Sequence, residues 1–288
     1  MSGTVTDPVV CRQKALRGLG DLPPFSPILN KLMASLASED VSFAQLAELI
    51  EKDTVLAGNV LRLVNSALYG RRGTISSVRH AVSLIGLAKL RNTVMTLSVS
   101  RLWAYSRSPK GWPAARFNLH GVAAAVMTDL LAQRLPAEFP EGGFVAGLLH
   151  DIGLLLIATS MPQEFAEIRR LHSEEGMALE EAERAVLGTD HADISAAALS
   201  RWNLPVSIQT AVRYQFEEQH MRSDEIPLSW LVRASSRLAD ARGAFIFVAP
   251  PEAEADPAEI LKSAGLSTDP EALVEDFERE FAPMRAFF

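Results

Sequence analysis

Between Phe144 and Met161 the chain is almost wholly apolar, with one ionisable interruption, the adjacent pair His150-Asp151 in "FVAGLLHDIGLLL". A run of that length suits either a membrane span or the middle of a helical core. Two ionisable side chains at its centre, and no basic flank after it, weigh against the bilayer and predict a buried core helix. Such a helix must be covered by others, and the rest of the sequence supplies them.

The apolar periodicity is helical nearly everywhere. Ser42 and Gln45 have capping-box spacing ahead of "LAELIEK". Asp53 is placed to cap the next helix, in which Leu56, Val60, Leu63, Val64 and Leu68 recur at helical steps; Gly70 is expected to end it. After "RRGTISS" come "VRHAVSLIG" and "LAKLRNTVMTLSVSRLW", an apolar segment broken by Gly86. The turn formers of "SPKGWP" (108–113) mark the best internal boundary. Beyond it, helices are expected at 114–135, 143–160, 162–174, 178–187, 191–202, 205–217 and 227–241, punctuated by Pro136, Pro140, Pro162, Pro205 and Pro227. Only "AFIFVA" (244–249) reads as strand. The acidic tail from 250 on predicts short surface helices, packed through Phe277, Phe281 and Phe287. No internal repeat or low-complexity tract occurs. The fold class is all-α.

A length of 288 residues allows one large domain or two small ones, and 48% apolar with 22% charged residues is an ordinary globular balance. The net charge of −7 argues against broad binding to nucleic acid or anionic lipid, which needs a basic face. "GRRGT" (70–74) is the densest basic stretch and reads as a solvated loop. The single cysteine, Cys11, excludes an internal disulfide and suits a reducing cytosol. The N-terminal residues lack the apolar core of a secretory signal, so a cytoplasmic, non-membrane protein is expected.

Adjacent helical residues point about 100° apart around the axis. An imidazole and a carboxylate entering one cavity from such positions can share a metal ion, given further ligands from neighbouring helices. His120 on the preceding helix is the natural third ligand, and His191, opening a later helix after "GTD", a fourth. The competing reading makes His150-Asp151 a buried hydrogen-bonded pair and gives His191, next to Asp190, a helix-capping role. His80, His172 and His220 sit in charged or amphipathic contexts and receive no role. No phosphate-binding Gly-rich loop, G-x-S-x-G elbow, dinucleotide fingerprint or basic helix-turn-helix is present.

In this order, His120, His150-Asp151 within "HDIG", and His191 resemble the HD superfamily of helical metal-dependent phosphohydrolases. Within it the chain is more similar to the HDOD family, the HD-related output domains of bacterial signalling proteins. The resemblance covers roughly residues 17–245 and is carried by Leu22-Pro23, Asp53, "LRLVNSALYG" (61–70), Ile75-Ser76 and Ala81 through Gly86. It implies a segment 1–16 and an HDOD domain 17–245. The domain divides into an N-terminal helical subdomain (17–108) and an HD-like bundle (112–245), with an acidic extension at 246–288.

The resemblance also implies a degenerate site. Catalytic relatives carry a His-His pair after a "WxLP" segment, and here "WNLPVSIQTAVRYQFEE" places Gln215 and Phe216 there. The final aspartate position falls on Ser236; alternatively Asp240 serves, at the cost of a one-turn slip against Leu238-Ala239. Phenylalanine cannot ligate a metal and a glutamine carbonyl is a weak ligand. His120, His150, Asp151 and His191 are therefore expected as remnants of a metal site, with no binuclear hydrolytic centre, no metal and no cofactor. The family likeness implies a non-catalytic signal-transduction output or scaffold module that contacts other signalling proteins in second-messenger, motility or virulence regulation. Asn65, Tyr69, Arg71 and Arg72 are the candidates for partner contact. The alternative is a residual metal-dependent phosphohydrolase or a nucleotide-binding sensor using the HD cavity.

Overall fold

Capping aspartates and prolines set where the helices begin. In the computed structural model, residues 7–21, 27–35, 43–65, 75, 77–105, 111–217, 224–247 and 255–285 are described. Asp7, Asp53, Asp190 and Asp256 each accept a hydrogen bond from a backbone N–H in the first turn of the helix they precede, satisfying a donor that the helix leaves unpaired. The N-terminal half comprises α1 (Pro8–Arg17), α2 (Pro27–Ser35), α3 (Phe43–Glu51), α4 (Thr54–Val64), α5 (Val78–Ile85) and α6 (Leu87–Tyr105). Gly86, at φ +80°, separates α5 from α6, the left-handed conformation that favours glycine.

The second half runs through α7 (Ala114–Arg134), α8 (Gly143–Leu149), α9 (Ile152–Ser160), α10 (Pro162–Glu175), α11 (Leu179–Leu187), α12 (His191–Arg201), α13 (Val206–Arg213) and α14 (Leu228–Ala241). Two further helices complete it, α15 (Pro257–Ser263) and α16 (Pro270–Arg285). Among the described residues the only β pairing is an isolated bridge between Ala137 and Ile226. The all-α fold expected from periodicity is the fold observed.

Helix α7 is the axis of the molecule. It is buried on nearly every side from Val122 to Ala132 and packs against α6, α8, α14 and α16. A Cβ on Gly147 of α8 would stand 2.7 Å from the Ala124 carbonyl oxygen and the Ala125 Cα of α7. A Cβ on Gly153 of α9 would collide with the His191 carbonyl oxygen of α12. Glycine at these two points lets backbones approach where a side chain would hold them apart. The apolar window within Pro140–Ser160 is 94% buried inside the protein, which places it in the core as its ionisable centre predicts.

Four expectations are corrected by the structure. The helix expected at 143–160 is two helices, α8 and α9, parted at His150-Asp151. Helix α4 stops at Val64 instead of Gly70, because the Asn65 side chain bonds the Leu61 carbonyl and then turns to Ile75. No strand forms over 244–247: the Ala244 carbonyl oxygen lies 2.7 Å from His120 Nδ1, and the Phe247 carbonyl accepts from Arg116 at 2.9 Å, so α7 side chains take the place of a strand partner.

The tail is the fourth. Helix α16 packs through Phe277 and Phe281 as expected, the two rings stacked at 4.9 Å, but it runs 16 residues and lies against α7, and so is not a short surface helix. Ser42, Gly70, Val248-Ala249 and Phe287 lie outside the described residues.

Overpacking a close helix contact costs roughly 1–3 kcal/mol, and here the obstruction is backbone. Gly147→Ala is expected to destabilise the protein by at least that amount, read as a lower urea midpoint at unchanged m-value.

Candidate functional site

Asp151 sits at the break between α8 and α9, and its side chain makes no cap hydrogen bond to α9. That leaves the carboxylate to the histidines. His150 Nε2 lies 3.2 Å from Asp151 Oδ1, His191 Nε2 3.1 Å from the same oxygen, and His120 Nε2 3.4 Å from Oδ2. His120 Nε2 and His150 Nε2 are 3.4 Å apart. All four side chains are buried.

The outer nitrogens explain this convergence. His150 Nδ1 is 2.8 Å from the Gly147 carbonyl oxygen, His120 Nδ1 2.7 Å from that of Ala244, and His191 Nδ1 2.7 Å from Glu183 Oε2. Each Nδ1–H donates outward, so each Nε2 faces Asp151. Ordered metal-binding histidines are held this way. Asp240 Oδ1 adds a contact at 3.3 Å to the outer side of His120, while Ser236 Oγ lies 3.3 Å from its inner Nε2. Ser236 thus faces the centre, and Asp240, one turn on, backs His120 from outside.

Gln215 and Phe216, where the family resemblance leads one to expect a His-His pair, also meet the cluster. Gln215 is buried, with Nε2 donating to the His150 carbonyl at 3.3 Å. The Phe216 ring stands edge-on to His191, centroids 5.1 Å apart. His120, His150, Asp151, His191, Gln215, Phe216 and Ser236 therefore form one assembly. Asp190 caps α12, and the His191 side chain turns inward.

Glu183 escaped the sequence reading. It is 1% exposed and accepts from both the His191 backbone N–H, at 2.8 Å, and Nδ1. One signal was available: Leu179, Ala182, Glu183, Val186 and Leu187 have the spacing of an apolar helix stripe, so Glu183 occupies a core position.

Charge is set by these contacts. Burial alone would lower the His120 pKa, but bonding to Asp151 and Asp240 outweighs it and raises the pKa from 6.5 to about 10. His191 is likewise raised, Glu183 and Asp151 overcoming its burial. His150 is lowered by burial and by the neighbouring imidazoles. Asp151 is held well below the usual carboxylate range despite burial, chiefly by the neighbouring His150 and then by the close approach of His120 and His191. Burial pushes Glu183 up. The described arrangement is a buried anion between two imidazolium rings.

The same donors fit one divalent metal ion. Ligand atoms of His120, His150 and Asp151 lie within 4.8 Å of one another. His191 Nε2 is buried and makes no hydrogen bond of good geometry. Ligands at about 2.0–2.2 Å in a tetrahedral shell stand about 3.4 Å apart, close to the separations observed. Gln215, Phe216 and Ser236 do not offer a donor set for a second ion.

Of the partner-contact candidates, Asn65 is engaged internally. Its Nδ2 donates to the carbonyls of Leu61 and Ile75, both at 2.8 Å, and its Oδ1 accepts the Ile75 N–H at 2.7 Å. It ties the end of α4 to Ile75 while remaining exposed. Tyr69, Arg71 and Arg72 lie outside the described residues.

An all-helical bundle whose central helix break delivers a His-Asp pair to histidines from two other helices defines an HD-type domain. The family model for the HDOD domain matches residues 22–218, and the chain belongs to that family, which is related to the HD phosphohydrolases. Crystal structures of similar proteins include an HDOD domain protein of unknown function from Geobacter sulfurreducens, 24% identical, covering 97% of both chains, with a TM-score of 0.75. A protein from Shewanella amazonensis SB2B, described provisionally as a phosphohydrolase, is 26% identical and covers 95% of this chain and 97% of its own, with a TM-score of 0.71. A protein of Treponema pallidum (strain Nichols) is 24% identical over 213 residues, 73% of this chain; the match spans 40% of that protein's length.

Removing one partner from a buried ionic cluster costs roughly 3–5 kcal/mol. Asp151→Ala is expected to lower unfolding free energy by about that amount, measured in urea at pH 7. The pH dependence has a definite sign. A histidine raised in the folded state stabilises fully below its ordinary pKa and ceases to as pH climbs through the folded value. For His120 that window runs from 6.5 to about 10. Stability is therefore expected to decline as pH rises through that window, and Asp151→Asn to flatten the decline in parallel urea titrations.

Proposed function

We propose that this chain is a cytoplasmic signal-transduction module that works through contact with other proteins, its HD centre serving as a closed structural node and not as a hydrolytic site. Enclosure of that centre is the observation that carries the reading. The space beside Asp151, between Ser100, Asn118 and Leu148, measures about 10 Å³, on the order of one water molecule. Phe216 stands against His191, and buried Gln215 bonds the His150 backbone. Phosphodiester cleavage requires an open coordination position and cationic groups around the phosphate; here Phe216 and Ser236 occupy the ground where further ligands would stand.

A second reading is favoured by the convergent Nε2 atoms: a mononuclear metal centre that retains some phosphohydrolase or nucleotide-sensing activity. His120, His150, Asp151 and His191 would hold the ion, which as a Lewis acid acidifies bound water. The provisional phosphohydrolase from Shewanella amazonensis lends this reading a precedent by name. In it, Glu183 and the Gly147 and Ala244 carbonyls orient the imidazoles.

Elemental analysis of purified protein, combined with turnover of cyclic dinucleotides and simple phosphodiesters, separates the two. The first reading expects less than about 0.1 equivalent of iron, manganese or zinc and no metal-dependent turnover; a stoichiometric ion with turnover overturns it. For the contact surface we expect Arg71 and Arg72, next to Tyr69, to tune partner choice and encounter. A double Arg71→Glu, Arg72→Glu variant should keep the wild-type melting temperature and lose most capture of partners identified by native-host pull-down. Gln215→Ala should leave capture intact, and the reverse result places recognition in the HD cavity.

A further inference from the structure

A cavity of about 170 Å³ lies away from the HD centre, walled by α4, α6, α7, α8 and α16. Its floor is apolar, made by the buried side chains of Leu63, Val126, Phe144 and Met284. An apolar cavity of ~150 Å³ accepts benzene, so the space suits a molecule of about five to eight non-hydrogen atoms.

The polar end is built from Asn92 of α6 and Asp129 of α7. Asn92 Nδ2 donates to Asp129 Oδ2 at 3.2 Å, and Gln133 Nε2 donates to the same oxygen at 2.9 Å. Among the described residues, Asn92, 5% exposed, leaves Oδ1 buried and unpartnered, while half-buried Asp129 receives both of its hydrogen bonds on Oδ2. A buried acceptor left unmade is unfavourable, so Asn92 Oδ1, with the Asp129 carboxylate beside it, is complementary to a ligand that donates.

The other charged residues of the lining are already paired. Lys89 pairs with Glu280 at 2.9 Å and Arg279 with Asp276. Arg91 acts on Asp129 without ion-pair contact. Burial, with Glu280 nearby, raises the Asp129 carboxyl to about 6, which marks an anion short of a counter-charge.

We propose that this cavity binds a small organic cation, a primary ammonium or amidinium whose N–H groups bond Asn92 Oδ1 and Asp129 and whose short hydrocarbon body lies on Phe144, Val126 and Met284. Helix α16, which closes the site through Glu280 and Met284, lies beyond the residues matched by the family model. The site is thus completed by the C-terminal extension, and it bridges the two halves of the chain at α6 and α7.

The test is a titration of the full chain, carrying ¹³C-methyl methionine, with n-butylammonium, n-butanol and butyrate. The Met284 signal, assigned through Met284→Leu, is expected to shift saturably with n-butylammonium at a Kd near or below about 1 mM, within the affinity open to five non-hydrogen atoms. n-Butanol should bind at least tenfold more weakly, butyrate not measurably, and Asp129→Asn should weaken n-butylammonium at least tenfold. No saturable shift, or equal binding of n-butanol and n-butylammonium, overturns the proposal. The wild-type comparison decides even if Asp129→Asn fails to fold.

Discussion

The carboxylate of Asp151 is ionised where water hardly reaches it, and histidines from both sides of the bundle converge on it. An anion in such a place is strongly unfavourable unless cations and donors surround it. His120 on α7 and His191 at the start of α12 supply the charge, and each is backed by an acidic residue, Asp240 or Glu183. Helices α7, α9, α11, α12 and α14 thereby meet at one point, each fixed in rotation by a side chain that has no other place to go. The break between α8 and α9 answers the same demand. A continuous helix would carry Asp151 on around the axis, whereas the interruption leaves its side chain free of the backbone and turned to the imidazoles.

Close helix approach makes that meeting possible. Gly147 brings α8 onto α7 and Gly153 brings α9 onto α12, and Ser195 Oγ accepts the Gly153 N–H at 2.8 Å. The two glycines stand three residues on either side of His150. The sequence "GLLHDIG" therefore encodes both the charged pair and the packing that places it. A His-Asp dipeptide without those flanking glycines would sit on helices held too far apart for His120 and His191 to reach.

Much of this was legible in the sequence, for identifiable reasons. Helices α7 and α9 to α14 start or stop close to where proline, aspartate and the 3.6-residue apolar period place them, because those are local signals. His120, His150, Asp151 and His191 were legible as a set through family resemblance, as were the substituted positions Gln215, Phe216 and Ser236. Glu183 was not: between Glu180, Glu181 and surface-facing arginine its residue type says solvent, and only its place in the apolar stripe says core. The role of Ala244 was hidden because a backbone carbonyl carries no residue signature, and "AFIF" has the composition of a strand. Helix α16 was underestimated for a related reason. Phe277 and Phe281 were legible as its packing residues, but its many acidic residues hid its length and the contribution of Leu273.

A hydrolytic centre and a closed core make opposite demands on the same residues. The first needs an open coordination position, room for a phosphate and cations at its edge. The second needs every polar atom partnered inside and every gap filled. Around Asp151, Phe216 supplies an aromatic edge to His191, Gln215 a donor to the His150 backbone, and Ser236 a hydroxyl near His120. Each of these contacts adds packing or hydrogen bonding around the cluster. The charged pair itself cannot be discarded so readily, because the helices are registered on it and an apolar substitute would leave the Nε2 atoms of His120 and His191 without the carboxylate they share. The His-Asp pair is thus accounted for, at the level of the fold, by its part in registering these helices.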